Sequence, residues 1–294
     1  MKQPHTLKIL PCNDSPELGL LRKKELDIPH DYAVKLGRSA ADASASGFYP
    51  GRNQTRVDWA KLVQAACATK VSIPPEAELP SPGLPVFAET RVQVANETTF
   101  GASRRLLEAG LKPIALNFAD GVSPGGLFLQ GARAQEEVLC RSSALYQTLV
   151  GDPMYDAHLL RPEPDSTDWV IYSPDVPVFR QDDGTELDQP WLLSFLTCAA
   201  PYAPIIGQPA ASTLLKSRIH RVLAVARAYG YSTLVLGAWG CGVFGNDGEH
   251  TALDFRDALK NDFSGAFSDV VFAITDWSQE RRFLQPFRTA FSAA

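Results

Sequence analysis

The sequence lacks any run approaching the roughly 20 apolar residues that a membrane span needs, so no membrane association is expected. It also lacks a basic excess. Its 28 Lys and Arg stand against 33 Asp and Glu, a formal charge of -5, whereas a protein that holds duplex nucleic acid over a broad face draws its affinity largely from neutralised phosphates. Sequence-specific nucleic-acid binding is therefore not expected, and any anionic ligand must be gripped locally. The amino terminus, MKQPHTLKIL, is basic but has no apolar signal-peptide core, which points to an intracellular, cytoplasmic chain, or a nuclear one in a eukaryote. No internal repeat or long low-complexity tract is present.

Cysteine and histidine are sparse and scattered. Cys12, Cys67, Cys140, Cys198 and Cys241 are odd in number and include no C-x-x-C pair, the pattern of reduced thiols. His5, His30, His158, His220 and His250 show no i, i+4 pair and no zinc-like spacing with cysteine, so neither a metal nor a cofactor is expected.

What is present, from about residue 86 onward, is an alternation of β-rich apolar runs with segments of helical period, the mark of an α/β layered sheet. RVQVAN (91–96), PIALNFAD (113–120), WVIYSP (169–174), WLLSFLTCA (191–199), TLVLGAWG (233–240) and DVVFAIT (269–275) read as strands. Helices are expected over 98–110, ended by Gly110, over 134–150 from near Gln135, over 212–230 with Ser212 as cap, near 249–260, and from Ser278 to the end. The polar stretch FRQDDGTELDQP is too short for a helical crossover, so part of the sheet should be antiparallel and the sheet mixed. The first 85 residues differ, with early prolines, a helical segment around 57–70 and the linker-like IPPEAELPSPGLP (73–85). They are expected to form an accessory region packed on the 86–294 domain, because Trp59, Leu62, Val63 and Ala66 need burial.

Two glycine clusters carry the chemical interest. In PGGLFLQGARAQEE (124–137) a loop able to bring backbone close to a ligand is followed by Gln135, Glu136 and Glu137 in the first turn of a helix. Acids at a helix start also serve simple macrodipole complementarity, but that role does not require Pro124, Gly125, Gly126 and Gly131 in front of them. In GAWGCGVFGND (237–247), Gly240, Gly242 and Gly245 match G-x-G-x-x-G, a spacing that lets amides approach a diphosphate; an ordinary tight turn fits it too. A dinucleotide oxidoreductase is disfavoured, since only about 50 residues follow instead of most of a doubly wound sheet. Cys241 has no partner histidine nearby and reads as a small buried residue. Phe244 fits either the core or a contact with a ligand's ribose. Both loops follow buried strands, so both should lie at the carboxyl ends of a sheet, around one nucleotide site.

GVSPGGLFLQGARAQEEVLCRSSALY, with PIALNFAD, YSPDVPVFR, LVLGAWGCGVFGND and VVFAITD, resembles the bacterial-type poly(ADP-ribose) glycohydrolases over roughly residues 86–276, and weakly at Gly47-Phe48-Tyr49. The resemblance implies a macrodomain-like three-layer α/β/α fold with a mixed sheet and an amino-terminal helical accessory region. It implies Glu137 as the catalytic acid, with Glu136 holding ribose hydroxyls and Asn117 touching the same terminal ribose. Gly125, Gly126 and Gln135 would belong to the ADP-ribose site, and Gly240, Cys241, Gly242, Val243, Phe244 and Gly245 would cradle the diphosphate, Phe244 orienting the ribose. The implied partners are poly(ADP-ribose) and ADP-ribosylated proteins, with ADP-ribose as product and a monomeric enzyme. One departure stands out: the family usually has a third glycine where this chain has Leu127. A side chain there predicts either that it turns away from the site or that activity is reduced.

Hydrolysis of a ribose–ribose bond needs a proton for the leaving oxygen and stabilisation of positive charge at the anomeric carbon. Neighbouring helix residues point in different directions, so Glu136 and Glu137 fit a positioner and an acid better than the flanking carboxyl pair of ordinary glycosidases. The acid must have a raised pKa, which burial and a neighbouring carboxylate favour and the helix start opposes. The rival readings are a non-hydrolysing ADP-ribose reader, which a loop distorted by Leu127 would favour, and a mono-ADP-ribosyl hydrolase.

Overall fold

The computed structural model describes residues 5–81, 83 and 86–292. Its strands are β1 (Thr6–Ile9), β2 (Phe48–Pro50), β3 (Arg56–Asp58), β4 (Val71–Ile73), β5 (Glu89–Ala95), β6 (Pro113–Ala119), β7 (Val170–Arg180), β8 (Glu186–Ala199), β9 (Thr233–Leu236) and β10 (Asp269–Ala273). Its helices are α1 (Pro16–Leu26), α2 (His30–Ser46), α3 (Ala60–Thr69), α4 (Thr99–Glu108), α5 (Gln135–Ser142), α6 (Leu145–Leu149), α7 (Pro153–Leu159), α8 (Ala203–Ile206), α9 (Ala210–Ala228), α10 (Gly248–Lys260) and α11 (Leu284–Ala290), with a 3-10 turn at Phe128–Gln130.

Eight strands form one sheet in the order β1-β5-β10-β9-β6-β8-β7-β4, and β2 pairs with β3 separately. From β1 to β8 all neighbours are parallel; β7 runs antiparallel to both β8 and β4. The expected antiparallel portion is thus the β7–β8 hairpin, whose strands extend well into the polar stretch read as a loop. Strand alternation divides the core into two apolar layers. Ile114, Leu116, Leu234 and Phe272 pack with Ile219, Leu223, Phe255 and Phe287 from α9, α10 and α11, whereas Ala115, Val235 and Val271 face Phe100, Leu106 and Leu139 from α4 and α5. The three-layer α/β/α arrangement with a mixed sheet follows.

The amino-terminal region contributes more than a covering layer, since β1 and β4 form the two edges of the main sheet. Trp59, Val63 and Ala66 are buried as expected, while Leu62 is only half-buried. Helices α1 and α2 have no counterpart among the expected elements, and α2, HDYAVKLGRSAADASAS, is made largely of small residues. That composition has a use: at Gly37 an added Cβ would meet the Phe128 carbonyl oxygen at 2.4 Å, so α2 packs tightly under the first glycine loop. Of the linker-like stretch, residues 82, 84 and 85 lie outside the described residues.

Three helix boundaries differ from expectation. The 134–150 helix breaks into α5 and α6 because Ser143 is extended, its hydroxyl donating to the Leu139 carbonyl and accepting from the Leu145 amide, in competition with the helical ladder. Ser212 does not cap α9; it lies inside the first turn, where its amide and hydroxyl both donate to the Gln208 side chain (3.2 and 2.7 Å). The last helix starts at Leu284, not Ser278. Asp276 accepts from the amides of Ser278, Phe283 and Leu284 and holds the intervening residues in turns.

Candidate active site

Strands β6 and β9 are parallel neighbours, with Ile114 opposite Leu234, so the loops that follow them leave the sheet side by side. Both line one cavity of about 510 Å³. Glu136, Glu137 and Gln135 border it from one side; Gly240, Gly242, Val243 and Phe244 border it from the other.

The first loop is built around the two acids. Asp120, at the end of β6, folds its side chain back to accept from the amides of Val122 and Ser123, both at 2.8 Å. The Gly121 carbonyl accepts from His158 Nδ1 (3.0 Å), while His158 Nε2 accepts from the Thr167 amide (3.1 Å). Gly126 has φ +58, and a Cβ there would lie 2.3 Å from Glu137 Oε1. Only glycine tolerates both the left-handed backbone and that approach. Gly126 therefore lies behind the Glu137 carboxyl and allows it to sit there, whereas Gly125, at φ +72, backs onto the Cys140 thiol and the Phe128 ring, both 3.1 Å from where its Cβ would be.

The side chains of the two glutamates diverge. Glu136 turns toward β6, where Oε1 accepts from Asn117 Nδ2 (3.1 Å) and Oε2 from the Asp120 amide (2.7 Å). Glu137 turns toward the glycine loop, where Oε1 accepts from the Leu127 amide (3.1 Å) and the buried Oε2 has no partner among the described residues. Burial is the main cause that raises both carboxyls above the usual carboxylate range, most strongly for Glu136. The donated N–H groups oppose it at both acids, and the nearby Asp120 charge reinforces it. At Glu136 the charges of Glu137 and Asp120 add to the effect of burial, and at Glu137 the charge of Asp120 does.

Gln135 borders the cavity, but its amide is taken up by protein: Oε1 accepts from the Phe118 amide (2.9 Å), and Nε2 donates to the Leu116 carbonyl (2.8 Å) and Thr99 Oγ1 (3.1 Å). Its side chain thus braces α5, β6 and α4 while the residue borders the cavity. Asn117 is fully buried beneath Glu136 and also donates to Thr197 Oγ1 (3.2 Å), so it reaches the cavity through Glu136.

The second loop has a different construction. Among the described residues, the amides of Gly240, Gly242, Val243 and Phe244 meet no acceptor, which makes a nest suited to an anion. Asn246 holds the loop's shape through Nδ2, which donates to the carbonyls of Pro201 (2.8 Å) and Gly240 (3.2 Å). Phe244 is half-buried with its ring edge-on to Tyr202, the centroids 5.7 Å apart. Two expected site residues of this loop fall outside the cavity wall, as do Asn117, Gly125 and Gly126 at the first loop. Gly245 faces Pro204, and Cys241 points its thiol toward the Trp239 carbonyl, with burial pushing that thiol up to about 12, out of reach as a nucleophile.

Several bordering residues were not anticipated: Asp120, Trp239, and Glu97, Thr98, Thr275 and Phe283 at the far end. Asp120 had a readable signal, an Asp closing a strand ahead of Gly-Val-Ser. The far-end residues had none, because β5 and β10, which deliver them, become neighbours only in the folded sheet. Among the described residues no cluster of three or more His, Cys, Asp or Glu is placed to hold a metal ion, and no helix is long and apolar enough to cross a membrane.

Leu127 has φ -105, an ordinary backbone angle, and its amide holds Glu137. The loop is not distorted by the missing glycine. The residue stays out of the core and does not turn away from the site: it is half exposed and borders the cavity.

Residues 38–181 match the family described as microbial-type PARG, catalytic domain, PARG denoting poly(ADP-ribose) glycohydrolase. A comparison with curated proteins gave no match. Among solved structures, the poly(ADP-ribose) glycohydrolase of Thermomonospora curvata is 38% identical with a TM-score of 0.82, covering 88% of this chain and 99% of that one. The same protein bound to the inhibitor ADP-HPD aligns with the same identity, coverage and TM-score of 0.82. The poly(ADP-ribose) glycohydrolase of Deinococcus radiodurans in complex with ADP-ribose is 37% identical, with a TM-score of 0.70 over 78% of this chain and 96% of that one.

Proposed function

The chain belongs to the microbial-type poly(ADP-ribose) glycohydrolase family, and we infer that it uses Glu137 to hydrolyse the ribose–ribose bonds of poly(ADP-ribose) and release ADP-ribose. The observation that carries the assignment of roles is the unequal treatment of two adjacent carboxyls. Glu136 has both oxygens engaged by N–H donors, whereas Glu137 has one oxygen fixed and the other without a partner. A carboxyl raised by burial and holding one free oxygen is equipped to carry a proton.

The reaction then runs in two proton transfers. The diphosphate rests on the amide nest of the second loop, and Glu136 accepts from hydroxyls of the terminal ribose. Glu137 gives its proton to the oxygen that links the terminal ribose to the next unit, the bond from that oxygen to the anomeric carbon breaks, and positive charge develops on the sugar. The diphosphate's negative charge stabilises it. Glu137, now a carboxylate, takes a proton from water as the water oxygen bonds to the anomeric carbon. One water is consumed, one ADP-ribose leaves, and Glu137 ends protonated.

The undistorted loop at Leu127 favours a hydrolase over a binding-only reader. ADP-ribosylated proteins enter as carriers of the polymer, and we further propose that the enzyme acts as a monomer, since a single chain supplies both acids and the amide nest. Glu137→Gln keeps the shape and removes the titrating proton. Release of ADP-ribose from purified polymer is expected to fall by about 10²–10⁴-fold, the usual scale of a general acid, while ADP-ribose still binds in calorimetry. Near-normal turnover in that variant would refute the assigned role.

A further inference from the structure

We propose that the side chain of Leu127, with Val243 facing the same cavity from the second loop, forms an apolar subsite for the adenine of the unit that leaves, the nucleotide beyond the cleaved bond. The proposal rests on the poly(ADP-ribose) reading of the site and extends it to the far side of the reacting atoms.

The leaving oxygen must come within about 2.6–3.2 Å of the Glu137 carboxyl to receive its proton. The proton belongs on Oε2, the unpartnered oxygen of the same carboxyl whose Oε1 lies 3.1 Å from the Leu127 amide nitrogen, so the leaving oxygen and what it carries come close to Leu127. In poly(ADP-ribose) that oxygen is a ribose hydroxyl oxygen of an adenosine, and the adenine is attached to the adjacent ring carbon. The base is thus tethered close to the acid by the connectivity of the polymer itself.

The surface it meets there is apolar and unused by the fold. Leu127 is 53% exposed and Val243 79% exposed, although both border the cavity. The residue after Leu127, Phe128, is fully buried against Tyr146, so the core requirement of this loop is already met by its neighbour. An aliphatic side chain left in water beside an otherwise polar carboxyl site gains when a flat base covers it, and bases accept such contacts without regard to hydrogen-bond pattern. The consequence is selectivity: a leaving group that carries a base is held in line with Glu137, and one that lacks a base is not.

The test compares two substrates with purified protein. One is the ADP-ribose dimer, and the other is ADP-ribose joined through the same linkage to a methyl riboside, which keeps the leaving sugar and lacks the adenine. For the unaltered chain, kcat/KM should favour the dimer. In Leu127→Ser the ratio of the two kcat/KM values should fall by about three- to tenfold, the scale of one apolar contact, and in Leu127→Met it should recover. Leu127→Ser together with Val243→Ser should erase the preference. A ratio unchanged in Leu127→Ser, or equally reduced in Leu127→Met, would overturn the subsite. Absence of ADP-ribose release from either substrate by the unaltered chain would instead refute the underlying functional reading, and the subsite with it.

Discussion

The two glycine loops lie side by side, yet they are held in shape by different kinds of group. In the first, the backbone turns around carboxyls: the Asp120 amide binds Glu136, the Leu127 amide binds Glu137, and Gly126 has no space for a Cβ beside Glu137. In the second, the shape comes from the neutral amide of Asn246, and the amides of Gly240, Gly242, Val243 and Phe244 meet no acceptor among the described residues. One loop spends its donors on its own acids and so fixes where a proton sits. The other keeps its donors for an anion. Catalysis needs both arrangements around a single sugar, and one loop cannot supply them together, since an amide bonded to a carboxylate is lost to a phosphate.

The contrast can be broken most severely at Gly126. In Gly126→Ala the new methyl would displace the Glu137 carboxyl and strain a backbone at φ +58. Turnover on poly(ADP-ribose) should fall by about 100-fold, the scale of displacing a catalytic group by an ångström. A melt of the same variant should show destabilisation of about 1–3 kcal/mol from the strained backbone. Turnover within a factor of three of the unaltered chain would show that the close approach is not used.

A pH profile sharpens the same contrast, because the two carboxyls that burial raises, Glu136 and Glu137, both belong to the first loop. The Glu137 pKa is raised by burial, so its acid form survives to higher pH than a free glutamic acid would. As pH rises through that pKa the acid is lost, and kcat should decline on the alkaline side by about tenfold per unit. ADP-ribose affinity, which depends on the amide nest, should change far less over the same interval. A kcat that climbs steadily with pH would contradict an acid-limited step.

The gentlest probe lies in the second loop. A Cβ on Gly242 meets nothing within 4 Å, so Gly242→Ala should fold and melt like the unaltered chain. The methyl would stand where the ligand's diphosphate approaches the amides, and Kd for ADP-ribose measured by calorimetry should rise by about tenfold, equivalent to one weakened hydrogen bond. Unchanged affinity would move the diphosphate away from this loop.

Much of this arrangement was legible before folding. The alternation of strands and helices named the class of fold, and the position of each glycine cluster after a buried strand placed both at the carboxyl ends of a sheet. The adjacency of Glu136 and Glu137 on a helix start already implied that their side chains diverge, as they do. Gln135 illustrates the limit. Its neighbours in sequence assign it to the ligand, but its amide bridges Leu116, Phe118 and Thr99, a set of partners that exists only once α4, β6 and α5 meet. Asn246 and Asp276 escaped notice for the same reason: a side chain that accepts or donates across a turn looks like any other polar loop residue until the turn closes.

By itself the sequence determined which residue types were available at each loop, because periodicity, glycine placement and the order of acids are local properties of the chain. The tertiary structure alone decided which strands became neighbours, how deeply each carboxyl was buried, and which amides were left without acceptors. Those quantities depend on contacts between residues far apart in the chain, and through hydrogen bonding they distinguish Glu137, with one oxygen left without a partner, from Glu136 beside it, with both engaged.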